Sequence, residues 1–259
     1  MKNHISLFIF AIALLSGPVS ANDLSMTAVK DTLASIPGEH NYIYVRTPLG
    51  EDEEKNYDEI TFYDGLGREL DFAQSYGADR AGAIMAHHHL IEYDSLGRKE
   101  KQWLSTNTSF SYMSPEDLKG GVLWDYHDAG KRSYLQTNYE SSPLNRITEQ
   151  YGVGDAWGDH PARMEYLTNI PADSLRCSFY FIDDNDSLIR RGDYRSGELQ
   201  VTKATDEDGK PTYTFVDKQG RTLLTRLGRG NQQADTYFVF DRFGRIRYVL
   251  PPMINDEIS

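Results

Sequence analysis

The chain has 259 residues, with 39 acidic against 27 basic side chains and a formal charge of -12. That balance disfavours nucleic acid and anionic membrane surfaces as partners, because both select for basic patches. A lone cysteine, Cys177, excludes an internal disulfide framework, so the fold must rest on burial and backbone hydrogen bonds.

Residues 1–21 read as a secretory signal peptide. Lys2 supplies the positive start, residues 5–15 an apolar run broken by Ser6, and Val19-Ser20-Ala21 small residues at the cleavage spacing. The run is short for a bilayer and Gly17-Pro18 interrupts it, so no membrane span is expected in the mature chain. The expected location is secreted or periplasmic. In residues 22–39, Met26, Val29, Leu33 and Ile36 fall at helical spacing until Pro37-Gly38, which predicts a short helical or mobile lead.

From residue 40 the texture becomes strand-like. Strands are predicted over 42–47, 57–63, 69–76, 87–93 and 99–104, with an acidic turn at 51–55. In the less regular stretch 105–160, Ser114-Pro115-Glu116-Asp117 is a helix start, and Gly120-Gly121 is expected to end that helix almost at once. Residues 152–160 read as an ordered loop. Strands resume over 163–167, 176–182, 199–205, 212–216, 221–227, 236–240 and 245–250, with turns at 183–186 and 206–209. Pro251-Pro252 closes the β-rich domain over 40–252 and leaves a tail over 253–259. The expected fold class is all-β, built of repeated antiparallel β-hairpins with one or two short helices; 17 Tyr and 11 Phe suit cross-strand pairs.

One turn motif occurs four times: Tyr63-Asp64-Gly65-Leu66-Gly67-Arg68, Tyr93-Asp94-Ser95-Leu96-Gly97-Arg98, Val216-Asp217-Lys218-Gln219-Gly220-Arg221 and Phe240-Asp241-Arg242-Phe243-Gly244-Arg245. Asp at the first position of a type I turn bonds the backbone two residues on, and Gly at the fourth takes the left-handed conformation that closes a bulged hairpin. Each copy therefore predicts a hairpin corner. Ser142-Pro143-Leu144-Asn145-Arg146 reads as a degenerate corner with Asn in place of Gly.

These corners, taken with Asn41-Tyr42-Ile43-Tyr44, Lys101-Gln102-Trp103-Leu104, Thr205-Asp206-Glu207-Asp208-Gly209 and Val249-Leu250-Pro251-Pro252, resemble the amino-terminal domain of Bacteroidetes Rhs-type proteins (the DUF6443 type) with their tyrosine-aspartate (YD) repeats. The resemblance implies a secreted, non-enzymatic module at the front of a shell whose repeat strands coil into a hollow wall. It implies further repeats or a partner chain as neighbours. The chain stops at Ser259 before any Rhs core signature or carboxy-terminal effector, so a member truncated before that core is expected.

Other chemistry is weighed against that reading. On a strand His87 and His89 share a face and His88 takes the other, which makes His87 and His89 the metal candidates. No spacing motif supplies a third ligand, so a polar, partly exposed strand is expected, with no metal and no cofactor. Asp183-Asp184-Asn185-Asp186 and Asp206-Glu207-Asp208-Gly209 resemble calcium-loop fragments but lack the closing Glu, and are expected as turns. A glycosidase would need two facing carboxylates, yet the corner acids Asp64, Asp94, Asp217 and Asp241 recur as turn residues, so no enzyme is expected. Cys177 lies in a strand-like run and is expected to be a buried bystander thiol. The alternative is a glycan- or protein-binding module. Exposure of Trp124 or Trp157 beside polar residues would favour it, whereas their burial would favour core packing.

Overall fold

In strand β2 (Asn56–Tyr63) the residues Asp58, Ile60 and Phe62 alternate with Glu59, Thr61 and Tyr63, which sends the first three to one face. All three are buried, and the same period governs the neighbours of β2. A computed structural model of the protein describes residues 29–31, 33–34, 36–38, 40–48, 56–78, 84–228 and 233–252. The expected leader over 1–21, the acidic turn 51–55 and the tail 253–259 lie outside the described residues. The chain divides into two compact units. The first comprises the described residues through Gln136 with Gly152–Asp155; the second comprises Thr137–Tyr151 with the described residues from Ala156 on.

The first unit is an antiparallel array in the order β1 (Asn41–Pro48), β2, β3 (Glu69–Ala78) and β4 (Ile84–Tyr93). The free side of β4 is long enough to take two short partners. β5 (Lys99–Trp103) pairs with its end and β6 (Thr106–Ser109) with its start. Strand β7 (Tyr134–Tyr139) begins beside β5. Register aligns Tyr44, Ile60, Ala73, His88 and Thr106 across five strands on the inward face. Ile60, Phe62, Ala73, Ala86 and Phe110 form the core, and Ile36 and Leu33 of the lead pack on it. Residues 29–31 and 33–34 are helical, with Val29 and Ile36 buried as the spacing predicted. Burying a side chain the size of Ile or Phe contributes about 1.5–3 kcal/mol, which is what fixes this register.

Helix α1 (Pro115–Asp125) starts as expected, with Ser114 Oγ accepting from the Asp117 N–H at 3.1 Å. It does not stop at Gly120-Gly121. A Cβ on Gly121 would sit 2.7 Å from Thr106 Oγ1, so the glycine is what lets the helix lie against β6. Thr106 Oγ1 then donates to Asp125 Oδ2 at 2.7 Å, and Leu118 and Val122 are buried with Leu90 and Trp103. Tertiary packing outweighs the roughly 1 kcal/mol by which each glycine disfavours a helix. Strand β6 was not expected because its sequence, Thr-Asn-Thr-Ser, has no apolar alternation.

In the second unit the order is β8 (Ile147–Tyr151), β9 (Ala162–Thr168), β12 (Gln200–Thr205), β13 (Pro211–Val216), β14 (Thr222–Leu227), β15 (Ala234–Phe240) and β16 (Ile246–Leu250), all antiparallel. A separate hairpin, β10 (Ser178–Ile182) with β11 (Leu188–Asp193), is inserted between β9 and β12. Its Cys177 and Tyr180 pack on a row of one residue per strand: Leu167, Val201, Phe215, Leu224, Tyr237 and Leu250. Burial pushes the Cys177 thiol up to about 12, so it is an inert core group. Both units are all-β, with helix among the described residues confined to the lead, α1 and short 3₁₀ turns.

Candidate functional site

The corner acids are anchored by backbone before anything else. Asp64 N–H donates to the Arg68 carbonyl (2.9 Å) and Gly67 N–H to the Asp64 carbonyl (3.0 Å), which closes the turn. Asp64 Oδ1 accepts from the Leu66 and Arg68 N–H groups at 2.8 and 2.9 Å. The other carboxylate oxygen accepts from Arg68 Nε at 2.7 Å. The same bonds recur between Asp94 and Arg98, Asp217 and Arg221, and Asp241 and Arg245. Gly67, Gly97, Gly220 and Gly244 have φ between 76° and 82°, in the left-handed region where a β-branched residue is strained.

Arginine has a second role that the motif alone did not disclose. The Arg68 guanidinium lies 4.4 Å over the ring of Tyr93, the aromatic residue that opens the next corner. Arg221 lies 5.1 Å over Phe240, which opens the corner after its own. Arg68 and Arg221 thus each close their own turn and stack on the next, adding a cation–π contact of about 0.5–1 kcal/mol where exposed. The degenerate corner works the same way with altered parts. Asn145 takes φ 54°, Arg146 binds Glu140 and lies 4.5 Å over Tyr166, and those bonds to Arg146 and Ser142 hold the Glu140 carboxyl down at about 2. The turns at 183–186 and 206–209 have the corner geometry too. Asp183 Oδ1 accepts from Asn185 and Ser187, and Asp206 Oδ1 from Asp208 and Lys210. Sequence reading did not class them with the corners because their fifth residue is not arginine.

Two expected results follow from this ladder. Gly67→Val and Gly97→Val should each lower the thermal midpoint, and Gly97→Val more, because a Cβ there would also lie 3.2 Å from Arg68 Nη1. The strain of the left-handed position alone is about 1–2 kcal/mol. Unchanged midpoints in both variants would contradict the corner assignment. The second concerns acid. Burial pushes the Asp64, Asp94 and Asp217 carboxyls up, but the backbone N–H and arginine bonds outweigh it and hold them below the usual range. Asp241 is lowered chiefly by the Arg245 N–H. A carboxyl lowered on folding stabilises the fold above its unfolded value of about 4, and that stabilisation is lost as pH falls through the folded value. Thermal midpoints should therefore hold from neutral pH to about 5 and drop below about 4; equal midpoints at both ends would contradict it.

The histidine run divides across the sheet. His87 and His89 share the outer face of β4 and are half-buried, with His89 6.3 Å from the Phe72 ring. Burial lowers the His89 imidazole below its ordinary value. Among the described residues no group of three or more His, Cys, Asp or Glu side chains converges as a metal site would require. His88 is the buried member. Its Nδ1 lies 2.7 Å from Asp71 Oδ2 and its Nε2 3.0 Å from the Ser109 carbonyl, so it joins β3, β4 and β6.

Trp124 at the end of α1 is 83% exposed and Trp157 in the second unit 46%, whereas Trp103 is buried with its Nε1 donating to Glu92 at 3.1 Å. The second unit also carries a groove that sequence reading missed. Two adjoining hollows of about 670 and 610 Å³ share Phe179, Tyr194, Gln219 and Arg221 as lining. β10 presents Phe179 and Phe181 there, their rings 5.7 Å apart and inclined by 22°. Tyr194 meets Phe179 edge-on at 4.9 Å. The alternation of Phe179 and Phe181 with Tyr180 was the available signal, but only the hairpin's docking decides which face opens.

Corner, hairpin and antiparallel pairing define an all-β protein of repeated hairpins. A family model described as a domain of unknown function (DUF6443) matches residues 41–168, the family type that the ordered motifs resemble. No curated protein matches the chain. The chain is similar to the crystal structure of TcdB2-TccC3, at 13% identity and a TM-score of 0.48 over 84% of this chain and 10% of that one. It is also similar to that of TcdB2-TccC3-TEV, at 12% identity and a TM-score of 0.47 over 90% of this chain and 11% of that one. The chain therefore spans about a tenth of the length of those solved chains.

Proposed function

We propose that the protein is an exported, non-enzymatic structural module: a segment of hairpin-repeat wall, of the kind found in Rhs-type shells, that packs against further repeats or a partner chain. The observation that carries this reading is the open end of the arginine ladder. The Arg68 and Arg221 side chains stack on the next corner and are 32% and 34% exposed, whereas the Arg245 side chain is 68% exposed and, among the described residues, meets Phe243 and its own Asp241. Strand β16, which leaves that corner, pairs among the described residues with β15 alone, and its Ile246 and Val249 are exposed. An uncovered edge strand is a template for another strand. The corner carboxylates, tied to backbone and arginine, are poor candidates for acid–base work.

Light scattering and thermal unfolding of residues 22–259 test the reading. Self-association that Val249→Lys abolishes, without lowering the midpoint, is the expected result. A monodisperse monomer at every concentration, unfolding cooperatively, would overturn it. The exposure of Trp124, beside the polar Asp125 and His127 on the same surface, favours a second reading as a binding module that docks a glycan or protein. No helix among the described residues is long and apolar enough to cross a membrane.

A further inference from the structure

The groove of the second unit has a charge pattern that its surroundings do not account for. The smaller hollow is lined by four cations, Arg191, Arg195, Lys218 and Arg221, against the carboxylates of Asp193, Glu198 and Asp217. Each carboxylate already serves the protein. Asp193 accepts from Ser178 Oγ, Glu198 from the Arg195 N–H, and Asp217 from Arg221. Of the cations, Arg221 is held by Asp217, but among the described residues Arg191, Arg195 and Lys218 have no ion pair. A local excess of uncommitted cations on a chain of charge -12 points to an anionic ligand.

The shape and the rings narrow the class. A cleft of this size suits a small ligand or a few units of a polymer. Phe179 and Phe181 are half-buried, two residues apart on one strand face and stacked on each other, so they form a compact apolar wall in the larger hollow, and Phe179 carries it to the cationic one. The C–H face of a sugar ring packs against such an apolar wall, while Gln219 and arginine supply planar donors to its hydroxyl and carboxylate oxygens. A peptide would instead call for pockets that take alternate side chains.

We propose that this groove binds an acidic oligosaccharide, with a sugar ring against the Phe179–Phe181 wall and carboxylate or sulfate groups at Arg191, Arg195 and Lys218. The larger hollow adjoins the corner at which the ladder ends, but no residue of β16 lines either hollow, so Val249→Lys tests the wall reading and the groove variants test this one. Calorimetric titration of the full chain with oligogalacturonate, oligoalginate and chondroitin sulfate tests it, with cellohexaose and oligoglutamate as the neutral and peptide comparisons. At least one acidic glycan should bind about tenfold or more tighter than cellohexaose, a gap of about 1.4 kcal/mol. That binding should weaken with salt. Arg191→Ala combined with Lys218→Ala should weaken it about tenfold while leaving the thermal midpoint unchanged, and Phe181→Ala should weaken every sugar that binds. The proposal is overturned if none of the three acidic glycans binds, if cellohexaose binds as tightly, if oligoglutamate binds more tightly, or if the double alanine variant binds normally.

Discussion

Arg226→Met should lower the unfolding free energy by about 3–5 kcal/mol, the range for breaking a buried ion pair by removing one partner. Arg226 is buried on β14 and forms a fork with Asp235 on β15, Nε to Oδ1 at 2.7 Å and Nη2 to Oδ2 at 2.6 Å. Its Nη1 donates to the Ser174 and Arg176 carbonyls at 2.8 and 2.9 Å. One guanidinium therefore ties the segment leading into β10 to the sheet beneath it. Methionine keeps the bulk of the side chain but leaves Asp235 without its fork and two carbonyls without donors. Arg226→Met combined with Asp235→Leu should recover part of the loss, since it removes the stranded charge. Urea unfolding measures both, and a single variant within about 0.5 kcal/mol of the parent, the usual range for surface changes, would sink the argument.

His88→Ala should have an effect of similar size, about 3–5 kcal/mol, whereas His87→Ala and His89→Ala should stay within about 1 kcal/mol. His88 holds the buried Asp71 and the Ser109 carbonyl, and Asp71 Oδ1 has no hydrogen-bond partner of its own. Taking the imidazole away strands the whole carboxyl in the core between its register partners Phe62 and Leu90, whose side chains have no hydrogen-bond donor to offer it. Urea midpoints for the three alanine variants check the ranking; three equal values would show that β4 does not depend on its inward histidine.

The strands, the corners and the start of α1 were legible because each is set by local physics. Period-two burial marks β2 and β13, and an Asp that bonds the chain two residues on marks a corner wherever it occurs. The division of the histidine run into one inward and two outward side chains was legible for the same reason, although the sequence directed attention to His87 and His89 rather than to His88. What could not be read depended on partners distant in the chain. Gly121 looks like a helix stop until Thr106 is seen to need the space. Arg226 looks like one polar residue in Thr222–Leu227, and its burial becomes reasonable only when Asp235 and the carbonyls 50 and 52 residues away converge on it. The groove is the extreme case: Phe179, Arg191 and the corner residues Lys218 and Arg221 come from three separate stretches of sequence, and no motif joins the three.

The sequence by itself determined an all-β chain of antiparallel hairpins and the residues that turn its corners, because alternation and turn chemistry act within a few residues. Only the tertiary structure decided that Arg68 and Arg221 stack on the next corner's aromatic ring, that His88 and Arg226 are buried polar anchors, and that an aromatic, cation-lined groove opens beside β10. Those outcomes rest on which surfaces meet once the strands are paired, and pairing over long separations leaves no local trace.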